Sequence, residues 1–145
     1  EELQLIIDNL LEKQQKRIDY LKDLLYLRQE HKSMPDINEM DLNLIKNLQM
    51  LVLDSKSKFS IDELAKKLYI SRAQLHRKLI ALTGMSTTHY INYIRIEKAK
   101  HLLSTTNLRV KEVAYTVGFE STTYFSKLFK KELGVTPTSY RNEST

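Results

Sequence analysis

A chain of 145 residues has room for one domain of ordinary size, or for a small domain with an extension. It has no cysteine, which excludes disulfides, thiolate metal sites and a cysteine nucleophile; three Gly and two Pro leave few turns, and the abundance of Leu, Ile, Lys, Glu and Gln points to an all-helical fold. The net charge of +5 is uneven: residues 1–54 hold 7 basic and 11 acidic side chains, net −4, whereas residues 55–145 hold 16 and 7, net +9, so the C-terminal part is expected to meet a polyanion.

No apolar run approaches the roughly 18 residues of a membrane span, no secretory signal is visible, and a cytoplasmic location is expected. The chain begins with Glu rather than Met and is expected to be a fragment of a longer protein.

Residues 3–28 read as a helix. Ile7, Leu11, Ile18, Leu21 and Leu25 follow a four-then-three spacing, and Gln14 occupies a position where another apolar knob is due. That pattern predicts a short coiled coil with a polar register-setting position, and hence a homodimer through residues 3–28. The competing expectation is a single helix packed on its own domain or on a domain that precedes it. Residues 1–33 are assigned to this helix, 34–38 to a linker containing Met34-Pro35-Asp36, and 39–145 to a globular domain. The first helix of that domain is predicted from Glu39 to Leu53, with Leu42, Ile45, Leu48, Gln49 and Val52 inward.

Ser60 and Glu63 have the spacing of a capping box, opening a short helix with Leu64, Ala65 and Leu68 inward. Tyr69-Ile70 makes a turn. Ser71 and Gln74 form a second box, opening a helix to about Thr83 with Leu75, Leu79 and Leu82 buried, and Gly84 closes it. Two short helices about a tight turn describe a helix-turn-helix. The pattern then repeats. At a shift of 49, Ile61, Glu63, Leu64, Ala65 and Leu68 meet Val110, Glu112, Val113, Ala114 and Val117. At a shift of 50, Ser71, Leu75, Leu79, Gly84, Ser86 and Tyr90 meet Ser121, Phe125, Phe129, Gly134, Thr136 and Tyr140. One extra residue falls in the second turn, at Gly118-Phe119. A long helix from about Thr87 to Ser104 joins the copies, with Tyr90, Ile91, Ile94, Ala99, Leu102 and Leu103 inward.

These stretches carry a family resemblance. "SRAQLHRKLIALTG", "YIRIEKAKHLL" and above all "EVAYTVGFESTTYFSKLFKKELGVTPTSYR" are similar to the AraC-type transcriptional activators, from roughly Leu42 to Arg141. The resemblance implies a seven-helix DNA-binding domain with two helix-turn-helix units held by the central helix, and RNA polymerase as a partner. Residues 1–40 lie outside it. A helix there is similar to the signalling helices of response regulators and hybrid two-component sensors.

A recognition helix buries one face and offers its N-terminal end to a major groove. In the first unit Arg72, Ala73, His76, Arg77 and Ile80 fall on the outward side. Arg72 and Arg77 suit guanine or phosphate, His76 donates or accepts, and Ala73 fits a thymine methyl. By motif alignment the family's base-reading positions fall on Ala73, His76 and Arg77. In the second unit Phe125, Leu128, Phe129 and Leu133 fall inward; Thr122, Thr123, Ser126, Lys127, Lys130 and Lys131 fall outward, and the family match puts the first four of these on bases. Short hydroxyl side chains read sequence less sharply than arginine, so the first unit is expected to carry more of the specificity. Phosphate contacts are expected from Ser60, Ser71 and Ser121 at helix N-termini and from Lys56, Lys58, Arg109, Lys111, Lys130 and Lys131. Arg109 stands where the repeat puts the cap Ser60, so the cap is expected to move to Asn107 or the position to serve phosphate. Arg95 resembles a family arginine that braces the two units.

An enzyme is not expected. His31, His76, His89 and His101 are dispersed, no Gly-rich phosphate loop is present, and the serines fall at caps. No cofactor or metal is expected. The alternative to DNA reading is a helical protein-interaction module, which leaves the doubled motif and the +9 charge unexplained.

Overall fold

The computed structural model describes residues 1–26, 36–54 and 58–144. Its elements in chain order are α1 (Glu2–Leu25), α2 (Glu39–Leu53), α3 (Ile61–Lys67), α4 (Arg72–Thr83), α5 (Thr87–Thr105), α6 (Val110–Thr116), α7 (Thr122–Leu133) and α8 (Pro137–Ser144). There is no strand among the described residues. The expected two helix-turn-helix units are α3–α4 and α6–α7, with α5 as the joining helix. Two compact units divide the chain: residues 1–51 with 59–91, and residues 52–58 with 92–145.

In the first unit, the inward stripe of α2 (Leu42, Ile45, Leu48 and Gln49) is buried with Leu64, Ala65, Leu68, Leu75, Leu79, Leu82, Tyr90 and Ile91. Asn38 begins α2, its side-chain oxygen accepting from the Asp41 N–H at 2.8 Å, a cap the sequence reading placed in the linker. Gln49 is the polar member of this core. Its amide donates to the Leu21 carbonyl at 3.0 Å and to the Tyr90 hydroxyl at 3.1 Å, which removes the penalty of burying it.

The stripe assigned to dimerisation divides along α1. Ile7 and Leu11 are exposed, Gln14, Ile18 and Leu25 are half-buried, and Leu21 is buried in its own unit. Leu21 is taken up within its own chain, where the second half of α1 packs against α4. Residues 27–28, the end of the expected helix, and Met34-Pro35 lie outside the described residues.

The core of the second unit is Ile96, Ala99 and Leu103 of α5 with Val113, Ala114, Val117, Phe119, Phe125 and Phe129. Phe119, Phe125, Phe129 and Tyr140 follow one another at 5.2, 5.7 and 5.5 Å between ring centroids, all tilted or edge-on as aromatic pairs prefer. Leu102, expected inward, is only partly buried, and Ile96 takes a fully buried place on α5. Arg141 donates to the Leu103 carbonyl at 3.0 Å and so ties α8 to α5.

Candidate nucleic-acid interface

In the first unit Ser71 caps α4 in full reciprocity: its hydroxyl oxygen accepts from the Gln74 N–H at 3.1 Å, and the Gln74 side chain accepts from the Ser71 N–H at 2.9 Å. The Ser60 box closes by half. Its oxygen accepts from the Glu63 N–H at 3.2 Å, but the Glu63 carboxylate takes the Ser60 hydroxyl proton at 3.1 Å rather than the backbone N–H. Leu75, Leu79, Leu82 and Thr83 bury one side of α4. Arg72, Ala73, His76, Arg77 and Ile80 are exposed on the other, as the period requires. Arg72 lies 3.5 Å from Asp62 with both side chains mostly in solvent, a pair weak enough to yield to a base or phosphate.

Ser86, Thr87 and Thr88, at the start of α5, line one concavity with Ile61, Arg72, Ala73, His76 and Arg77. Sequence reasoning missed this partner. The Ser86 oxygen accepts from the His89 N–H at 3.1 Å, making Ser86 the cap. Thr87 is buried, yet its hydroxyl oxygen has no hydrogen-bond partner among the described residues. A helix N-terminus beside two guanidinium groups favours an anion, and the only sequence signal for it was a run of small hydroxyl residues after Gly84.

The second unit repeats the construction. Ser121 accepts from the Tyr124 N–H at 3.2 Å and caps α7, while Phe125 and Phe129 bury its inner side. Thr123 and Lys127 are exposed, Thr122 and Ser126 half-exposed, and Lys130 and Lys131 exposed. Tyr124, half in solvent, accepts from the Asn92 side-chain amide at 3.4 Å and was not foreseen on this face. Arg109 is the N-cap of α6, which excludes Asn107 from that place. An arginine cannot accept the capping hydrogen bond, so only the reverse half exists, with Glu112 accepting from the Arg109 N–H at 3.1 Å. The guanidinium is left exposed.

The turns are closer relatives than the sequence suggested. Ile70 N–H donates to the Ala65 carbonyl at 3.1 Å and Phe119 N–H to the Ala114 carbonyl at 2.9 Å, so Tyr69-Ile70 and Gly118-Phe119 are equivalent. The extra residue of the second turn is therefore Glu120. Tyr69 and Gly118 both have positive φ, 60° and 103°. Glycine suits position 118 because L side chains rarely adopt a φ of 103°, and a Cβ there would also stand 3.0 Å from Nε of Arg95. Arg95 is half-buried, with its guanidinium carbon 5.9 Å from the Phe119 ring centroid, and burial lowers its pKa from the ordinary value.

Of the expected phosphate ligands, Lys58, Ser60, Ser71, Arg109, Lys111, Ser121, Lys130 and Lys131 are all exposed, and Lys56 lies outside the described residues. Lys58 stands 3.6 Å from Glu120 and 5.8 Å from the Tyr115 ring centroid.

Comparison with known proteins agrees with this construction. A family model described as a helix-turn-helix domain matches residues 64–143. The chain is 34% identical over 110 residues to the HTH-type transcriptional activator RhaR of Enterobacter sp., covering 76% of this chain and 39% of that one. It is 35% identical over 108 residues to histidine kinase P4 of Formosa agariphila, covering 73% of this chain and 8% of that one. It thus spans well under two thirds of either relative. The C-terminal domain of the two-component response regulator yesN from Fusobacterium nucleatum superposes with a TM-score of 0.63 at 34% identity, covering 72% of this chain and 99% of that one. The DNA-binding domain of the global transcriptional factor AdpA, solved in complex with a target DNA, gives 0.64 at 26% identity, with coverages of 73% and 93%.

Proposed function

The chain belongs to the AraC-type helix-turn-helix family of DNA-binding transcription regulators, and from that premise we propose that residues 39–145 read an asymmetric duplex site, with α4 and α7 in successive major grooves. The observation that carries this reading is the repetition itself. Each unit presents a serine-capped helix that buries its aliphatic or aromatic side and exposes a polar and basic one.

In the first groove Arg72, Ala73, His76 and Arg77 meet bases; in the second, Thr122, Thr123, Ser126 and Lys127 do. Lys58, Arg109, Lys111, Lys130 and Lys131, the capped ends of α4 and α7, and the hydroxyl of Ser60 meet phosphates. The start of α5 joins them, where Thr87 and the arginines of α4 line one concavity. The kinship with an activator supports transcription activation, and so a contact with RNA polymerase, at the nucleoid of a bacterial cytoplasm. Pairing of two copies belongs to the exposed first half of α1, where Leu3, Ile7 and Leu10 keep the four-then-three spacing and Leu11 flanks it. That face is also what favours a protein-interaction role for residues 1–26. Among the described residues no helix is long and apolar enough to cross a membrane.

Selection of duplexes from a random library, then gel retardation across a salt series, tests the reading. A bipartite consensus bound tightly, with affinity falling as salt rises, is the expected result. Failure to enrich any duplex, or retardation indifferent to salt, overturns it.

A further inference from the structure

The last turn of a helix leaves carbonyls without intrahelical donors. In α4 the Gly84 N–H takes the Ile80 carbonyl at 2.9 Å, and the Thr83 hydroxyl takes the Leu79 carbonyl at 2.7 Å. The next two carbonyls go to α1. Arg17 Nε donates to Leu82 O at 2.9 Å and Arg17 Nη2 to Ala81 O at 3.4 Å, setting a cation on the negative end of the recognition helix. Gln14 lies over Gly84, its amide nitrogen 2.7 Å from where a Cβ would stand. Farther along, the Leu21 carbonyl accepts from Gln49 of α2.

We propose that α1 is a positioning element for DNA reading by α4: it acts through Arg17, and its docking is coupled to occupation of the DNA half-site that α4 reads. This rests on the duplex-reading function above. Helix α4 is one uninterrupted rod. Arg72, Ala73, His76 and Arg77 stand on its first two turns, and Ala81 and Leu82 on its last. Along its length a second tether, Lys78 to Asp41 of α2 at 2.7 Å, fixes the middle. The end is fixed by Arg17, so the angle at which α4 leaves the unit depends on whether α1 is docked. Docking is shallow: Leu21 is the one fully buried side chain of α1, and the first half of the helix is exposed. A segment held by so few buried contacts opens more readily than the core beneath it. It also lies wholly outside residues 64–143, the part shared with the family model. By reciprocity, DNA that favours the docked angle of α4 tightens the docking of α1.

The experiment uses residues 1–145, a duplex selected by the protein, and two derivatives with one half or the other scrambled. Arg17→Met keeps the side-chain stem and removes the donors. It is expected to weaken binding to the intact duplex about fivefold or more, to leave binding unchanged once the half read by α4 is scrambled, and to be largely rescued by Arg17→Lys. Equal loss on both scrambled duplexes, or a lowered melting temperature with unchanged affinity, overturns the proposal, because Arg17 then only stabilises the fold. Should Arg17→Met fail to fold, hydrogen exchange of the wild-type protein decides. Amides of α1 from Gln14 to Leu25 must exchange more slowly with the intact duplex and not with the one whose α4 half is scrambled; exchange indifferent to DNA overturns the coupling. Failure of the wild type to select any duplex is a different result, and overturns the DNA-reading function together with this inference.

Discussion

Gly118 and Gly134 both need positive φ, at 103° and 77°, but differ in what surrounds them. A Cβ at Gly134 meets nothing within 4 Å, whereas at Gly118 it meets Nε of Arg95 at 3.0 Å. Gly134→Ala is expected to cost about 1 kcal/mol, the left-handed penalty alone. Gly118→Ala is expected to cost about 2 kcal/mol or more, since 103° lies outside even the left-handed well and the Arg95 side chain must also shift slightly to admit the Cβ. Urea denaturation checks this, and equal losses would contradict it. Tyr90 offers a second test at this scale. Burial pushes its phenol up to about 12, partly offset by the hydrogen bond from Gln49. A folded value above the unfolded one of about 10 means that the contribution is complete below pH 10 and is lost as pH rises toward 12. Absorbance titration should show one tyrosine ionising near 12 that Tyr90→Phe removes; a Tyr90→Phe curve identical to wild type would refute the assignment.

Among elements, the doubled motif was legible in the sequence because period, cap and closing glycine agree at each recognition helix: Ser71 with Gly84, Ser121 with Gly134. What escaped depended on tertiary partners that spacing does not encode. The stripe of α1 follows a coiled-coil spacing interrupted at Gln14, yet Leu21 is buried within its own unit, on the same half of α1 whose Arg17 and Gln14 meet the end of α4. The half-closed Ser60 box fails for a local reason, one carboxylate choosing a hydroxyl over a backbone N–H. The anion-favouring start of α5 left only a run of small hydroxyl residues in the sequence, because it is folding that brings Thr87 beside Arg72 and Arg77. Ser71→Ala, which removes the hydroxyl that accepts from the Gln74 N–H and leaves the backbone half of the box in place, is expected to cost about 1 kcal/mol, read by denaturation. The two readers also differ in chemistry. Arg77→Ala should narrow the ratio of selected to scrambled affinity by about tenfold, as loss of one bidentate base contact does, while Thr123→Ala should narrow it by much less. Gel retardation on both duplexes decides, and equal narrowing would reverse the ranking of the units.

At the scale of the whole molecule, charge is divided along the chain as the two roles require. Residues 1–54, which hold α1 and α2, are net −4, and the net +9 of residues 55–145 falls on the part that carries α4 and α7. Affinity should therefore be strongly electrostatic. If Lys58, Arg109, Lys111, Lys130 and Lys131 each meet a phosphate, with Arg72 or Lys127 adding one or two, log K against log salt should fall with a slope of about −5 to −6. Lys111→Ala should reduce the magnitude of that slope by about 1 and weaken selected and scrambled duplexes alike, because a phosphate contact carries no sequence information. Thr87→Val removes a hydroxyl and no charge, so it should weaken both duplexes equally while leaving the slope unchanged. That pair of variants separates the two ways this surface is expected to hold a phosphate: a cation that displaces counterions, and a helix end that offers hydrogen bonds. A slope altered by Thr87→Val, or unaltered by Lys111→Ala, would mean that the anion contacts are distributed differently from the exposed charges and the capped helix ends.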